Sequence, residues 1–229
     1  MGRLNNKMIK SQFVSALFVF FFSLSPIYGD FDYMQLVLTW PRSFCYPRRF
    51  CNRIPPNNFT IHGLWPDKMG IPGHLQFCTS EKYEIFEPGN VLDALDQHWI
   101  QLKFEREAGI RDQPLWRDQY KKHGTCCLSR YNQLQYFLLA MRLKEKFDLL
   151  TTLRTHGITP GTKHTYKKIQ DAIKTVTQEV PDLKCIQYTK GVLELYEIGI
   201  CFTPEADSPS LCRQSNSCHP TENPLILFR

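Results

Sequence analysis

The chain lacks any apolar run long enough to cross a bilayer as a helix, which takes about 20 residues; the most apolar stretch, Phe13–Leu24, falls short. It lacks a C-x-x-C pair, and the adjacent Cys126 and Cys127 do not suit tetrahedral ligation by both thiolates, so no metal site is expected. No period of about 20–50 residues recurs and no low-complexity linker interrupts the chain, which excludes solenoids and propellers and leaves one domain. A large charge excess is missing too. The formal charge of +6 falls to +3 when Arg3, Lys7 and Lys10 of the first 29 residues are set aside. That is too little for wholesale neutralisation of phosphates, so function must come from local constellations. The 229 residues, 42% hydrophobic and 13% aromatic, are enough for a sizeable core and exclude disorder.

The apolar run of Phe13–Leu24 follows Lys7 and Lys10 and precedes Pro26 and the small Gly29, the pattern of a secretory signal peptide. Cleavage near Gly29 leaves residues 30–229 as the exported domain, with no membrane anchor. In that compartment nine cysteines form a disulfide framework, and an odd number leaves one thiol over. Spacing alone does not fix the pairing. Asn58-Phe59-Thr60 is an N-glycosylation acceptor, which export makes usable.

The patterns predict a single α+β domain, a central antiparallel sheet packed by several helices. Met34–Trp40 alternates as a half-buried strand ended by Pro41, and Ile61–Trp65 is a second strand stopped by Pro66. Helical spacing runs over 91–107, over 113–123 with Pro114 in the first turn and Gly124 after the last, and from a Ser129 cap to about Lys146. In that last helix Leu134, Phe137, Leu138 and Met141 face inward. A further helix covers 147–155, and another 165–178, with Ile169, Ile173 and Val176 inward. Cys185–Thr189 and Val192–Phe202 flank Lys190-Gly191 as a hairpin, followed by a Pro-, Ser- and Cys-rich loop region.

Two of seven histidines stand in unusual settings: FTIHGLWPD, holding His62, and WRDQYKKHGTC, holding His123. Gly63 after His62 lets backbone or ligand approach closely. Positions 116, 119, 120 and 123 share one helical face, so Gln119 and His123 point at a common ligand with Lys122 adjacent. An imidazole titrates near neutral pH, so a converging pair divides labour as base and acid. RNA carries its own nucleophile in the 2′-hydroxyl, so no metal, cofactor or protein nucleophile is needed. Lys122 is placed to stabilise charge growing on the phosphoryl oxygens.

FTIHGLWPD and KHGTC resemble the two active-site segments of the secreted T-two family of ribonucleases. FDYMQLVLTWP at the mature start, the sequon abutting the first motif, the KHGTCC doublet and the C-terminal cysteines are similar to the self-incompatibility ribonucleases of nightshade-family plants. The resemblance covers essentially the whole mature chain. It implies His62 as general acid toward the 5′-oxygen, His123 as general base toward the 2′-hydroxyl, and Lys122 as transition-state stabiliser. Gln119 stands where the family usually has a catalytic glutamate, and its amide donates a hydrogen bond to phosphate without exchanging a proton. Asp118 stands where many members have a histidine, and its charge needs an offset from Arg117 or a lysine.

The resemblance also implies substrate contacts at Gln35, Thr39, Leu115, Trp116 and Asp118, a packing role in strand or helix being the alternative for the first four, and Trp65 packs in the core beneath the site. It implies bridges Cys45–Cys51, Cys78–Cys126, Cys185–Cys218 and Cys201–Cys212, with Cys127 free. The function it implies is a monomeric, glycosylated endoribonuclease secreted into the transmitting tract of the style. There it rejects self pollen, with RNA as substrate and pollen-side F-box proteins of the S locus as partners; the surface that meets them would lie between Lys68 and about Gln113. Two alternatives are a defence ribonuclease of the same family and a recognition or storage protein that kept the scaffold without the activity.

Overall fold

The computed structural model describes residues 30–47, 51–71 and 73–229, so the leader expected at 1–29 lies outside the described residues. Four strands and a helix carry the site. β1 (Tyr33–Thr39) pairs antiparallel with β2 (Thr60–Asp67) on one side and with β5 (Val192–Phe202) on the other. β4 (Asp182–Thr189) forms the hairpin with β5. The sheet continues from β5 to β7 (Leu225–Phe228) and β3 (Thr162–Thr165), and β6 (Pro209–Ser210) adds a short pair to β5. The β5–β7 pairing is parallel, so the sheet is mixed where the patterns predict antiparallel, and β7 lies in the tail expected to be loop.

β1 is buried on both faces, not half-buried. Met34, Leu36 and Leu38 enter the apolar core with Trp40. The opposite face carries Gln35 and Thr39, which stay buried because each has a charged partner: Gln35 Nε2 donates to Asp182 (3.2 Å) and Thr39 Oγ1 to Glu197 (3.2 Å). Alternation reports which residues share a face, not whether the polar face is covered.

β2 runs through Pro66 because it is an edge strand, where a missing N–H costs no ladder bond. Its pairing slips by one residue between Val37↔Gly63 and Leu38↔Ile61, leaving His62 as the extra residue of a bulge. Strict alternation would put His62 on the face of Leu64. The bulge instead sends both Ile61 and Leu64 into the core and re-aims His62, which stays partly exposed.

The helices are α1 (Pro41–Phe44), α2 (Asn90–His98), α3 (Arg106–Asp112), α4 (Pro114–Lys122), α5 (Gln133–Lys146), α6 (Leu149–Thr155) and α7 (Tyr166–Thr177). The span predicted as one helix over 91–107 breaks after His98, where Ile100 N–H turns to Thr60 Oγ1 (2.9 Å). α5 is capped by Asn132 with Gln135 as its reciprocal partner, not by Ser129. Tyr136, Phe137, Ala140, Met141 and Leu143 take its inner face, so Leu134 and Leu138 are exposed; Val176 of α7 is exposed likewise. All four bridges that the resemblance implies are formed, and Cys127 is free and buried. Among the described residues no helix is long and apolar enough to cross a membrane.

Candidate active site

Trp65 is the hub. Its ring, 7% exposed, meets His62 edge-on at 5.2 Å, His123 stacked at 5.1 Å and His74 at 5.0 Å. Lys184 of β4 places its ammonium 4.6 Å from the same ring, a cation–π contact. The indole N–H donates to Gln119 Oε1 at 2.9 Å. That bond passes over Gly63, where a Cβ would lie 2.1 Å from the indole nitrogen and 2.3 Å from the amide oxygen. Glycine at this position is therefore required by the Trp65–Gln119 bridge itself.

His62 reaches the hub from the bulge of β2 and is held from behind. Its Nδ1 lies 2.6 Å from Glu197 Oε1, and its carbonyl accepts the Trp99 indole N–H at 3.0 Å. Burial pushes the Glu197 carboxyl up, but the His62 hydrogen bond, its charge, Lys184 at 3.6 Å and Thr39 outweigh it and hold the group below the usual range. An ionised carboxylate only accepts, so Nδ1 carries the proton. His62 itself lines the cleft, so its other ring nitrogen is left for a ligand there.

His123 is treated oppositely. It closes α4 and is 4% exposed. Burial, with His74, His62 and Lys122 nearby, pushes it down to about 4, against the opposing bond to the Leu75 carbonyl. That carbonyl, 3.1 Å from Nδ1, can only accept, so Nδ1 again carries the proton. Among the described residues Nε2 has no hydrogen-bond partner, which leaves its lone pair free. The two imidazoles are held differently, one against a carboxylate and the other by burial beside a backbone carbonyl.

The cleft of about 210 Å³ is lined by His62, Gln119 and Lys122 together with Thr39, Leu115 and Asp118. Gln119 gives Oε1 to Trp65, which leaves its amide N–H groups as donors. Lys122 pairs with Asp118 at 3.1 Å, so a lysine offsets that carboxylate while Arg117 turns to the Asp112 carbonyl. Of the positions assigned to substrate contact, Thr39, Leu115 and Asp118 border the cleft. Gln35 and Trp116 do not: Gln35 is spent on Asp182, and Trp116 is fully buried with its indole N–H on the Trp99 carbonyl at 2.8 Å.

Sequence reasoning passed over Glu197, Lys184 and His74. Two glutamates inside the apolar strand VLELYEIGICF were a readable sign of a buried carboxylate with a function. His74 carries no local sign. It comes from the loop after β2, steered by Asp67, whose Oδ2 lies 2.8 Å from His74 Nδ1 and also meets Tyr33 and Arg213.

Residues 31–217 match the Ribonuclease T2 family. The chain belongs to that family. Within it, the chain is similar to Ribonuclease S-2 of Solanum tuberosum, 87% identical over 97% of this chain and 100% of that one. It is 58% identical to Ribonuclease S-3 of Petunia hybrida over the same shares. Among solved structures it resembles the self-incompatibility associated SF11-RNase of Nicotiana alata, with a TM-score of 0.82 and 58% identity over 87% of this chain and 100% of that one. A family member from bitter gourd seeds, ribonuclease MC1, follows the same fold at 26% identity, with a TM-score of 0.74 over 86% and 100% of the two chains.

Proposed function

We propose that the chain is a secreted endoribonuclease that cuts single-stranded RNA with His123 as base and His62 as acid. His123 Nε2 takes the 2′-hydroxyl proton, the 2′-oxygen attacks phosphorus, and the bond to the 5′-oxygen breaks as His62 Nε2–H protonates it. The product is a 2′,3′-cyclic phosphate. In its hydrolysis the roles reverse: His62 deprotonates water and His123 returns the proton to the 2′-oxygen, leaving a 3′-phosphate. Lys122 and the Gln119 amide stabilise charge on the phosphoryl oxygens. The observation that carries this is the opposite treatment of two imidazoles around one tryptophan, a carboxylate behind His62 and desolvation around His123. Incubation with RNA beside a His123→Ala control tests it. Cyclic phosphate termini from the native protein alone are expected; equal background from both proteins favours the recognition or storage alternative.

The biological role proposed is that of the pistil determinant of gametophytic self-incompatibility, acting as a monomer in the style and meeting pollen-side F-box proteins. The names of its relatives in Solanum, Petunia and Nicotiana support it. Expression in styles that lack this protein, followed by rejection of pollen of the matching type, is the expected result; a defence ribonuclease would reject none. Export follows removal of residues 1–29. Asn58 is exposed, its Oδ1 turned back to the Phe59 N–H at 2.7 Å, which leaves the side-chain nitrogen to carry the glycan. Mass loss on treatment with an N-glycosidase, absent in Asn58→Gln, checks it.

A further inference from the structure

The loop after β6 reaches the loop that aims His123. Arg213 follows Cys212, which is bridged to Cys201 of β5, and two residues on the Ser215 N–H donates to Asp182 Oδ1 of β4 at 2.6 Å. Residues 212–215 are thereby pinned to two neighbouring strands. A fixed backbone spares a long side chain part of the entropy it loses on being held in one place.

From that base the half-buried Arg213 guanidinium forks onto the loop after β2. It donates to the Asp67 carboxylate, to the Ile71 carbonyl at 3.1 Å and to the Gly73 carbonyl at 2.6 Å. The planar guanidinium carries its N–H groups in a rigid fork, so it serves several acceptors at once. Asp67 does not depend on it, since Lys68 N–H (2.9 Å), Tyr33 Oη (3.1 Å) and His74 Nδ1 (2.8 Å) also meet that carboxylate. The two carbonyls do: no other donor reaches them among the described residues. The described residues from 68 to 78 form no helix or strand, so this loop takes its shape from such contacts.

Two residues beyond Gly73 comes Leu75, whose carbonyl accepts His123 Nδ1–H at 3.1 Å. Two further on, the Phe77 N–H reaches the Lys122 carbonyl of α4 at 2.8 Å. The carbonyl that orients the imidazole thus lies between two anchors, Phe77 on α4 and Gly73 on Arg213. We propose that Arg213 is a positioning residue for His123, fixing the loop after β2 so that the Leu75 carbonyl meets Nδ1 and the ring stays covered. The clamp acts on cleavage through the base assigned to His123 and rests on that reading.

His123 reports its own cover. Burial, with His74, His62 and Lys122 nearby, holds its titration down at about 4, against the opposing Leu75 bond. Loosening the loop removes burial and bond together, and because burial is the larger influence the titration moves up. The ring proton, assigned by its absence in His123→Asn, is followed by NMR against pH in the native protein and in Arg213→Ala. The native ring is expected to titrate at about 4 and the variant's at about 5 or above, with kcat on a dinucleotide about a hundredfold lower. Arg213→Lys keeps the charge without the fork and is expected to fall between them. Cooperative unfolding in urea shows which variants are folded, and Arg213→Lys carries the comparison if Arg213→Ala is not. A folded Arg213→Ala, or Arg213→Lys in its place, whose ring still titrates at about 4 overturns the clamp. The acid limb of kcat/KM reports the base separately. A ring that moves up without that limb following leaves the clamp standing and removes His123 as the base.

Discussion

Lowering the pH across the titration of His123 tests the site through folding as well as catalysis. In the unfolded chain this imidazole takes its proton near 6.5; in the folded protein burial, with His74, His62 and Lys122 nearby, delays it to about 4. Between those values the unfolded state binds more protons, so stability rises with pH. The shift of roughly 2.5 units, at 1.36 kcal/mol each, makes about 3 kcal/mol that is fully present above pH 6.5 and lost as the pH falls to 4. Asp67 and Glu197, both held below the usual carboxylate range, add losses of the same sign. A His123→Asn variant separates them. Urea unfolding at pH 7.5 and pH 4, in buffers free of phosphate and sulfate, gives the two pH dependences. The native protein is expected to lose about 3 kcal/mol more than the variant. Its kcat/KM on a dinucleotide has an acid limb near 4, because that ratio reports the free enzyme's base. Equal pH dependence in both proteins, together with an acid limb between 6 and 7, would refute the desolvated base.

Four further outcomes are expected. Glu197→Gln weakens the contact that holds His62 Nδ1 at 2.6 Å, so kcat on a dinucleotide falls about a hundredfold with KM little changed; an unchanged kcat would refute the positioning role. Gln119→Ala removes the proposed amide donor and lowers kcat about a hundredfold with KM little changed, measured on a dinucleotide. Gly63→Ala forces the indole and amide apart, so thermal unfolding shows a loss of roughly 1–3 kcal/mol and indole fluorescence shifts. Cys127, fully buried with its thiol pushed well above the usual value, stays unlabelled by alkylating reagents until the chain is denatured, when mass spectrometry finds one adduct.

The hairpin of β4 and β5, the helices α4, α5 and α7 and both histidine motifs were legible in the sequence, because each depends on neighbours within a few residues. The bulge at His62 was hidden. It is a property of two strands in register, and nothing in FTIHGLWPD alone says that β1 skips that residue. Glu197 lies in a strand far along the chain and reaches His62 only because β1 sits between their two strands. A packing role for Gln35 and Trp116 was an open alternative, but their partners, Asp182 and the Trp99 carbonyl, were out of reach because tertiary packing sets them. Leu134 and Leu138 misled because helical spacing offers several apolar rows, and the aromatic pair Tyr136 and Phe137 claimed the core.

The segment that orients His123 is moored at a few points. Cys78 is bridged to Cys126, the Phe77 N–H reaches the Lys122 carbonyl at 2.8 Å, and Tyr83 and Phe86 are tied to Gln113. Ahead of these moorings Met69 and Ile71 are exposed, and among them so are the side chains of Phe77 and Ile85. Evolution can therefore rewrite the outward letters of this stretch while the imidazole below keeps its aim. A lineage built on this scaffold is free to diversify what it displays without relearning how to cut.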